Sequence, residues 1–189
     1  MNELNLGIKK KVKKMLDKER YQHTLGVAYL ASSLAMCYGL DPEKLFTAGL
    51  LHDCAKNIPN EEKYALCRQY GIKLNEVEKR APYLIHSKLG AYLAEKDFGI
   101  KDNDILNAIR YHTTGRPDMS LTEKIVFVAD YIEINRTEAP NLKRIREMAF
   151  KDIDDAVRKI LTDTLEYLSK GSRPVDPTTK ETYDFYGKY

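Results

Sequence analysis

The stretch AGLLHDCAKNIP, residues 48–59, places a histidine, a carboxylate and a lysine among residues that otherwise follow the pattern of a buried helix. Moving His52, Asp53 and Lys56 out of water is costly unless a partner group or a metal ion compensates for the lost hydration. An imidazole and a carboxylate without a thiolate suit iron, manganese or zinc, and they do not distinguish among these metals. We therefore expect other parts of the chain to supply the partners of this cluster.

The remaining histidines also fall on apolar helix faces. His23, His86 and His112 each share a stripe of aliphatic residues at helical spacing. Asp130 interrupts the apolar run IVFVADYI, residues 125–132, where an unpaired carboxylate would carry a large desolvation penalty. Taken singly, each histidine is most simply a hydrogen-bonded core residue, whereas a salt bridge is the alternative for Asp130, the residue that packing explains least. Together these positions favour a shared cation.

Helical periodicity extends over almost the whole chain, which predicts an all-α fold. The sequence Asp41-Pro42-Glu43 is a helix start, and we expect this helix to carry the His-Asp pair and to stop near Pro59. The sequence SLTE, residues 120–123, is a capping box that opens the helix bearing Asp130. The polar segment 172–189 receives no assignment.

Length and composition favour one globular domain that spans residues 1–189, because 43% of the residues are hydrophobic and 31% are charged. The net charge of +3 is too small to indicate a nucleic-acid partner, although residues 9–14 form a basic run. No apolar segment reaches the roughly 18 residues that cross a membrane. The N-terminus also lacks the features of a secretion signal, so a cytoplasmic location is expected.

The ordered set of histidines and aspartates resembles the HD-domain superfamily of metal-dependent phosphohydrolases. The pattern of that superfamily is a histidine, a later His-Asp pair and a distant aspartate in a helical core. The resemblance covers about residues 20–136. Five segments resemble, in their amino-acid sequence, the YqeK-type branch of this superfamily, the bacterial symmetrical bis(5′-nucleosyl)-tetraphosphatases. They are RYQHTLGVA (20–28), GLLHDCAKNIP (49–59), IHS (85–87), YHTTGRPDMS (111–120) and KIVFVADYIE (124–133).

This resemblance implies an HD-type helical bundle with a metal-binding core at residues 20–136, followed by C-terminal helices and a tail at residues 140–189. It also implies an iron-dependent enzyme that cleaves diadenosine tetraphosphate symmetrically into two ADP through attack by a metal-bound hydroxide. One iron would be held by four residues, namely His23, His52, Asp53 and Asp130. Asp53 would bridge to a second ion held with His86 and His112, and manganese or zinc could replace iron.

A tetraphosphate carries several negative charges, so we expect cationic side chains around the metal centre. Lys56 is the first candidate and, with Asp53, a predicted catalytic residue; a surface cation is the ordinary alternative. The full set of predicted substrate contacts is Arg20, His23, Asp53, Lys56, His86, His112, Thr113, Asp130, Arg136, Ser172 and Arg173.

Two other functions are compatible with the sequence. An HD phosphohydrolase that acts on another nucleotide would keep the same metal ligands and differ only in its substrate pocket. A non-enzymatic protein could use the basic first helix to bind RNA or a partner protein and use the metal site as a nucleotide sensor, although its ligand set should then be incomplete. The sequence also leaves a homodimer open.

Overall fold

The computed structural model describes residues 2–171 and 174–187, and within these ranges all regular structure is helical. The predicted all-α class is therefore confirmed. None of the helices described is long and apolar enough to span a membrane. The helices are α1 Glu3–Met15, α2 Lys18–Cys37, α3 Pro42–Leu51, α4 Asn60–Gln69, α5 Ile85–Phe98, α6 Asn103–Tyr111, α7 Leu121–Ile132, α8 Leu142–Ala149, α9 Ile153–Lys170 and α10 Pro177–Tyr186.

The helix start signals of the sequence act as expected. The side chain of Asp41 accepts a hydrogen bond from the backbone N–H of Glu43, at the start of α3. Ser120 and Glu123 form both hydrogen bonds of the capping box at the start of α7. Gly99 ends α5 with a φ of 70°, in the left-handed region that glycine adopts without strain. These caps set the limits of the helices that carry the histidines and aspartates.

The helix that leads to the His-Asp pair is shorter than predicted. It ends at Leu51, and the chain continues in turns in which the N–H groups of Cys54, Lys56 and Ile58 each bond to the carbonyl three residues earlier. The expected end near Pro59 is therefore wrong. The side chain of His52 provides a reason, because its Nδ1 lies 2.7 Å from the Gly49 carbonyl. It thus competes for the acceptor that a continuing α-helix would offer to the backbone N–H of Asp53.

The core brings α2 and α3 into close contact. A Cβ atom at Gly49 would lie 2.6 Å from the Cα of Ala28, so only glycine permits this crossing at its present distance. Helices α6 and α7 pack against α3, and α7 also packs against α2. A smaller apolar cluster around Ile85 and Leu89 supports α5 from the side of α4. Helices from distant parts of the sequence thereby meet around one point.

The C-terminal segment contains α10, which the sequence analysis left unassigned. The hydroxyl of Tyr186 accepts a hydrogen bond of 3.0 Å from the backbone N–H of Met119. At the start of the same helix, Asn75 donates a side-chain hydrogen bond of 2.8 Å to Asp176. Helix α10 therefore links the loop after α4 to the loop before α7. Ser172 and Arg173, which were predicted to contact substrate, lie outside the described residues.

Candidate metal centre

Side chains from five parts of the fold converge on Asp53. His52 and Asp53 follow the end of α3, while His23 comes from the middle of α2. His86 lies in the first turn of α5, His112 follows the end of α6, and Asp130 belongs to α7. All the histidines are buried, and the side chain of Asp53 is only 2% exposed. The structure thus brings together every predicted metal ligand.

The first group of ligands surrounds the space between Asp53 Oδ2 and Asp130 Oδ1. Asp130 Oδ1 lies 3.0 Å from His23 Nε2 and 3.8 Å from His52 Nε2. Asp53 Oδ2 lies 3.9 Å and 3.4 Å from the same two nitrogens. Two imidazole nitrogens and two carboxylate oxygens therefore face one small volume, as the ligands of a single ion do.

The second group lies on the other oxygen of Asp53. Asp53 Oδ1 is 3.1 Å from His86 Nε2 and 3.6 Å from His112 Nε2. These two nitrogens are themselves 3.1 Å apart. Because each oxygen of Asp53 faces a different pair of histidines, its carboxylate has the placement of a bridge between two ions.

Local backbone contacts orient three of the imidazole rings. The Nδ1 atoms of His52, His86 and His112 lie 2.7, 2.6 and 2.8 Å from the carbonyl oxygens of the residues three positions earlier. A carbonyl oxygen only accepts, so the proton of each neutral ring sits on Nδ1. The lone pair of Nε2 then points to the centre, which is the form in which histidine binds a metal.

The chemistry of this donor set fits a divalent cation. His23 Nε2, His52 Nε2 and Asp53 Oδ1 are buried side-chain atoms without a hydrogen-bond partner among the described residues. Burying such atoms without a partner is costly. A cation in the first group would compensate the two nitrogens, and one in the second group would compensate Asp53 Oδ1. The close pair of His86 and His112 nitrogens also brings two lone pairs together, a contact that a shared cation would relieve.

The protonation states are those that metal ligands require. Burial raises the pKa of Asp53, but the neighbouring imidazoles of His52, His112 and His86 outweigh this effect and hold the pKa well below its ordinary value. Burial likewise opposes the ionisation of Asp130, yet the neighbouring imidazoles of His23 and His52 and the guanidinium of Arg136 keep its pKa well below the ordinary value. Burial lowers the pKa of His86 to about 4, so this ring is neutral at neutral pH.

Cationic side chains surround the centre, as expected for a phosphate-binding site. Arg20 Nη1 lies 3.0 Å from Asp53 Oδ2, and Arg136 Nη2 lies 3.2 Å from Asp130 Oδ1. Lys56 Nζ lies 3.9 Å from Asp53 Oδ1 and 3.3 Å from His86 Nε2. The side chains of Arg20 and Lys56 are about a third exposed and that of Arg136 is 41% exposed, so they can reach both the carboxylates and an incoming anion.

A cavity of about 770 Å³ opens beside His23, between the start of α2 and the segment that follows α7. Its volume lies within the range of small-molecule sites, which is about 300–1,000 Å³. Arg20 and Arg136 line it next to the metal ligands, and the acidic side chains of Asp17, Glu19 and Glu138 lie in the same lining. Thr113 lies instead on the other side of the centre, where its hydroxyl is 3.5 Å from His86 Nε2.

Two residues of the centre's surroundings were missed by the sequence analysis. Glu133 Oε1 lies 3.0 Å from His23 Nδ1, and the Glu133 side chain is 1% exposed. Arg146, in α8, donates hydrogen bonds to the carbonyl oxygens of Ile132, Glu133 and Arg136. Glu133 stands one helical turn after Asp130, at the end of an apolar run, and that position was the available signal. No pattern in the sequence indicates the role of Arg146, because its acceptors are backbone atoms, which every residue has.

The model of the HD domain family matches residues 20–135, and the chain therefore belongs to the HD-domain family. This finding confirms the resemblance drawn from the ordered histidines and aspartates.

Within that family, the chain is similar to proteins named "Bis(5'-nucleosyl)-tetraphosphatase, symmetrical". The relative from Halalkalibacterium halodurans is 42% identical over 173 residues, which cover 92% of this chain and 91% of the relative. The relative from Bacillus subtilis is 40% identical over 174 residues, with 92% of each chain covered. A crystal structure from Clostridium acetobutylicum, described as a "predicted HD superfamily hydrolase involved in NAD metabolism", matches with a TM-score of 0.92. Its sequence is 38% identical, and the match covers 96% of both chains.

Proposed function

We propose that this protein hydrolyses diadenosine tetraphosphate symmetrically into two ADP. The observation that carries the proposal is the carboxylate of Asp53, each oxygen of which faces a separate pair of histidine Nε2 atoms. The names of relatives that are 40–42% identical over nine-tenths of the chain supply the substrate. The cavity beside His23 is large enough for a nucleotide, and Arg20 and Arg136 in its lining support binding of the phosphates.

Two groups of residues would hold the metal. His23, His52, Asp53 and Asp130 would bind one ion, and Asp53 with His86 and His112 would bind the second. A divalent ion held there would polarise phosphoryl oxygens and lower the pKa of bound water. We propose iron, which rests on the family resemblance, because the nitrogen and oxygen ligands suit manganese or zinc equally well.

The chain's own cations would bind and orient the tetraphosphate. Lys56 lies beside the second group of ligands, where its ammonium can donate to phosphoryl oxygens on which negative charge grows during cleavage. Arg20 lies beside the first group and offers a guanidinium that can bind two phosphate oxygens at once. With cations on both sides of Asp53, the bond near the middle of the tetraphosphate would lie over the centre.

The cavity beside His23 would receive one ADP half of the substrate. Arg136 lines this cavity and holds Asp130 at the same time, so it links the nucleotide site to a metal ligand. Thr113, next to His86, would donate its hydroxyl to a phosphate on the opposite side. The predicted contacts of Ser172 and Arg173 with the second nucleotide remain predictions.

The proposal is tested by product analysis together with metal analysis. Protein purified without oxygen should contain a transition metal and release two ADP from each diadenosine tetraphosphate. Asp130→Ala should lower metal content and activity together, because it removes a carboxylate that faces both His23 and His52. Asp184→Ala, at an exposed position of α10, is the matched control and should change neither quantity.

Two outcomes would contradict the proposal. Full metal content and full activity in Asp130→Ala would refute the ligand assignment. Release of ATP and AMP, or turnover of a different nucleotide with no ADP formed from diadenosine tetraphosphate, would place the chain among the alternative HD phosphohydrolases.

We further propose a cytoplasmic location and a homodimer. Exposed apolar side chains of Tyr29, Ile134 and Phe150 line one face and support an interface there. Light scattering of the purified protein would test this assembly, and a monomer at all concentrations would refute it.

A further inference from the structure

We infer that Glu133 is a positioning residue that holds His23 in the form that binds metal, and that the first ion is bound tightly only when this contact is intact. Glu133 is not a metal ligand in the pattern of residues discussed above. Its side chain is nevertheless buried to 99% and ends on the one histidine that has no backbone acceptor of its own.

His23 needs an acceptor from elsewhere because of its position in α2. His52 and His112 each follow the last residue of a helix, and His86 follows a short 3-10 turn. Their rings use carbonyl groups three residues earlier. His23 lies well inside α2, which runs from Lys18 to Cys37, where carbonyls are engaged by the helix itself. Glu133 takes the place of that backbone carbonyl, with Oε1 at 3.0 Å from His23 Nδ1.

The second oxygen of Glu133 is also engaged. Glu133 Oε2 accepts hydrogen bonds of 2.7 Å from the backbone N–H of Asn135 and 2.9 Å from its side-chain amide. Both oxygens therefore act as acceptors, one towards His23 and the other towards Asn135. A side-chain amide has only one acceptor oxygen, so glutamine cannot reproduce both contacts.

The space for this carboxylate is provided by a glycine. A Cβ atom at Gly26 would overlap Glu133 Oε2 and would lie 3.1 Å from Glu133 Cδ. Gly26 is one turn after His23 on α2, so the helix lacks a side chain where the carboxylate approaches. Any larger residue at this position would displace the carboxylate without touching a metal ligand.

The backbone that carries Glu133 is fixed as well. Arg146 donates hydrogen bonds of 2.9 Å to the carbonyl oxygens of Ile132, Glu133 and Arg136, in the turn that follows α7. A guanidinium that spans three carbonyls holds this turn in one conformation. Glu133 is therefore preorganised before any ion or substrate arrives.

The charge of Glu133 adds to its geometric role. A carboxylate that accepts the Nδ1 proton of a histidine fixes the ring's orientation and strengthens the opposite nitrogen as a ligand. Loss of such a partner typically lowers metal affinity by about 10–100-fold. We expect an effect of this size on the group formed by His23, His52, Asp53 and Asp130.

The test compares Glu133→Gln and Gly26→Ala with the parent protein, and Glu147→Gln, at an exposed position of α8, serves as the matched control. Metal-free proteins are titrated with Mn²⁺ in competition with a chromogenic chelator, and their thermal unfolding is followed in the absence of metal. Both site variants should bind the ion of the first group about 10–100-fold more weakly. Glu147→Gln should bind like the parent.

Gly26→Ala separates this role from a purely structural one. Alanine is a better helix former than glycine inside α2, so the substitution favours the folded state of the metal-free protein. The metal affinity of the variant should nevertheless fall. A purely structural role of Glu133 would lower the unfolding temperature of both variants and leave the affinity for Mn²⁺ unchanged. Parent-like metal affinity in both variants would overturn the inference.

Glu133 acts in this way within the proposed metal-dependent function, and the two can fail separately. If the parent binds Mn²⁺ but forms no ADP from diadenosine tetraphosphate, the proposed substrate is wrong while the role of Glu133 stands or falls by the titration. At saturating Mn²⁺, Glu133→Gln should recover most of its kcat with an unchanged KM. A raised KM at saturating metal would instead make Glu133 part of substrate binding and overturn the inference.

Discussion

Replacing Gly49 by alanine should separate the two helices that carry His23 and His52. The new Cβ would lie 2.6 Å from the Cα of Ala28 and 3.0 Å from its backbone N, whereas carbon atoms in ordinary contact are about 3.5–4.0 Å apart. These neighbours are backbone atoms and cannot rotate away. Helices α2 and α3 must therefore move apart by about 1 Å at this crossing.

The change in the free energy of unfolding is the difference between two opposed effects. Overpacking a core by one methyl group costs about 1–3 kcal/mol, while replacing glycine by alanine in a helix returns up to about 1 kcal/mol. With the full return, the net loss of up to about 2 kcal/mol should lower the unfolding temperature by up to about 8 °C for a chain of this length. Metal affinity should fall at the same time, because the Gly49 carbonyl also orients the His52 ring.

Gly90→Ala is the matched control in α5. Its Cβ would meet Cys54 Sγ and Ile109 Cγ2 at 3.5 Å, which is ordinary van der Waals contact. This variant should be as stable as the parent or more stable by up to about 1 kcal/mol. Thermal unfolding by circular dichroism and chelator competition measure both quantities. Equal stability and equal metal affinity in Gly49→Ala and the parent would refute the account of this crossing.

Lys56→Met should lower kcat by at least tenfold with little change in metal content, because it removes only the charge beside the second group of ligands. Kinetics and metal analysis on one sample measure both quantities. An unchanged kcat would exclude Lys56 from catalysis. Burial lowers the pKa of His86 from 6.5 to about 4, so between these values the unfolded chain binds a proton that the folded chain does not. The metal-free protein should therefore lose up to about 3 kcal/mol of stability as the pH falls from 6.5 to 4, and His86→Gln should flatten this part of the urea-unfolding profile. Tyr186→Phe should cost about 1–3 kcal/mol, because it leaves the backbone N–H of Met119 without its partner; an unfolding temperature equal to that of the parent would contradict the role of α10.

Much of this fold could be predicted because its signals are local. Asp41, Pro42 and the capping box at Ser120 act on neighbouring backbone groups, so the sequence contains both the cap and the group that it caps. The convergence of the metal ligands was also predictable, because an aspartate inside an apolar run requires a partner. Periodicity predicted the faces of the helices, and these faces point to a common core.

The remaining features depend on contacts that no local pattern reports. The helix before Asp53 ends early because the His52 ring donates to the Gly49 carbonyl. The backbone N–H of Asp53 could bond to the same carbonyl, and the sequence does not indicate which of the two donors is used. In the sequence, Glu133 has the pattern of a polar residue at the end of a helix. Its contact with His23 exists only once α2 packs beside it. Helix α10 has a regular start, but its polar sequence gives no indication that Tyr186 would bond to the loop before α7.

The metal centre also has a consequence for when the protein can acquire its metal. His23 and its positioning residue Glu133 are 110 residues apart, and the remaining metal ligands are spread between them. A nascent chain that has not yet passed residue 133 out of the ribosome lacks part of the set and can offer an ion only an open, weakly bound position. We therefore expect the complete centre to form late in biosynthesis, because a chain truncated before residue 130 lacks a ligand of the first group.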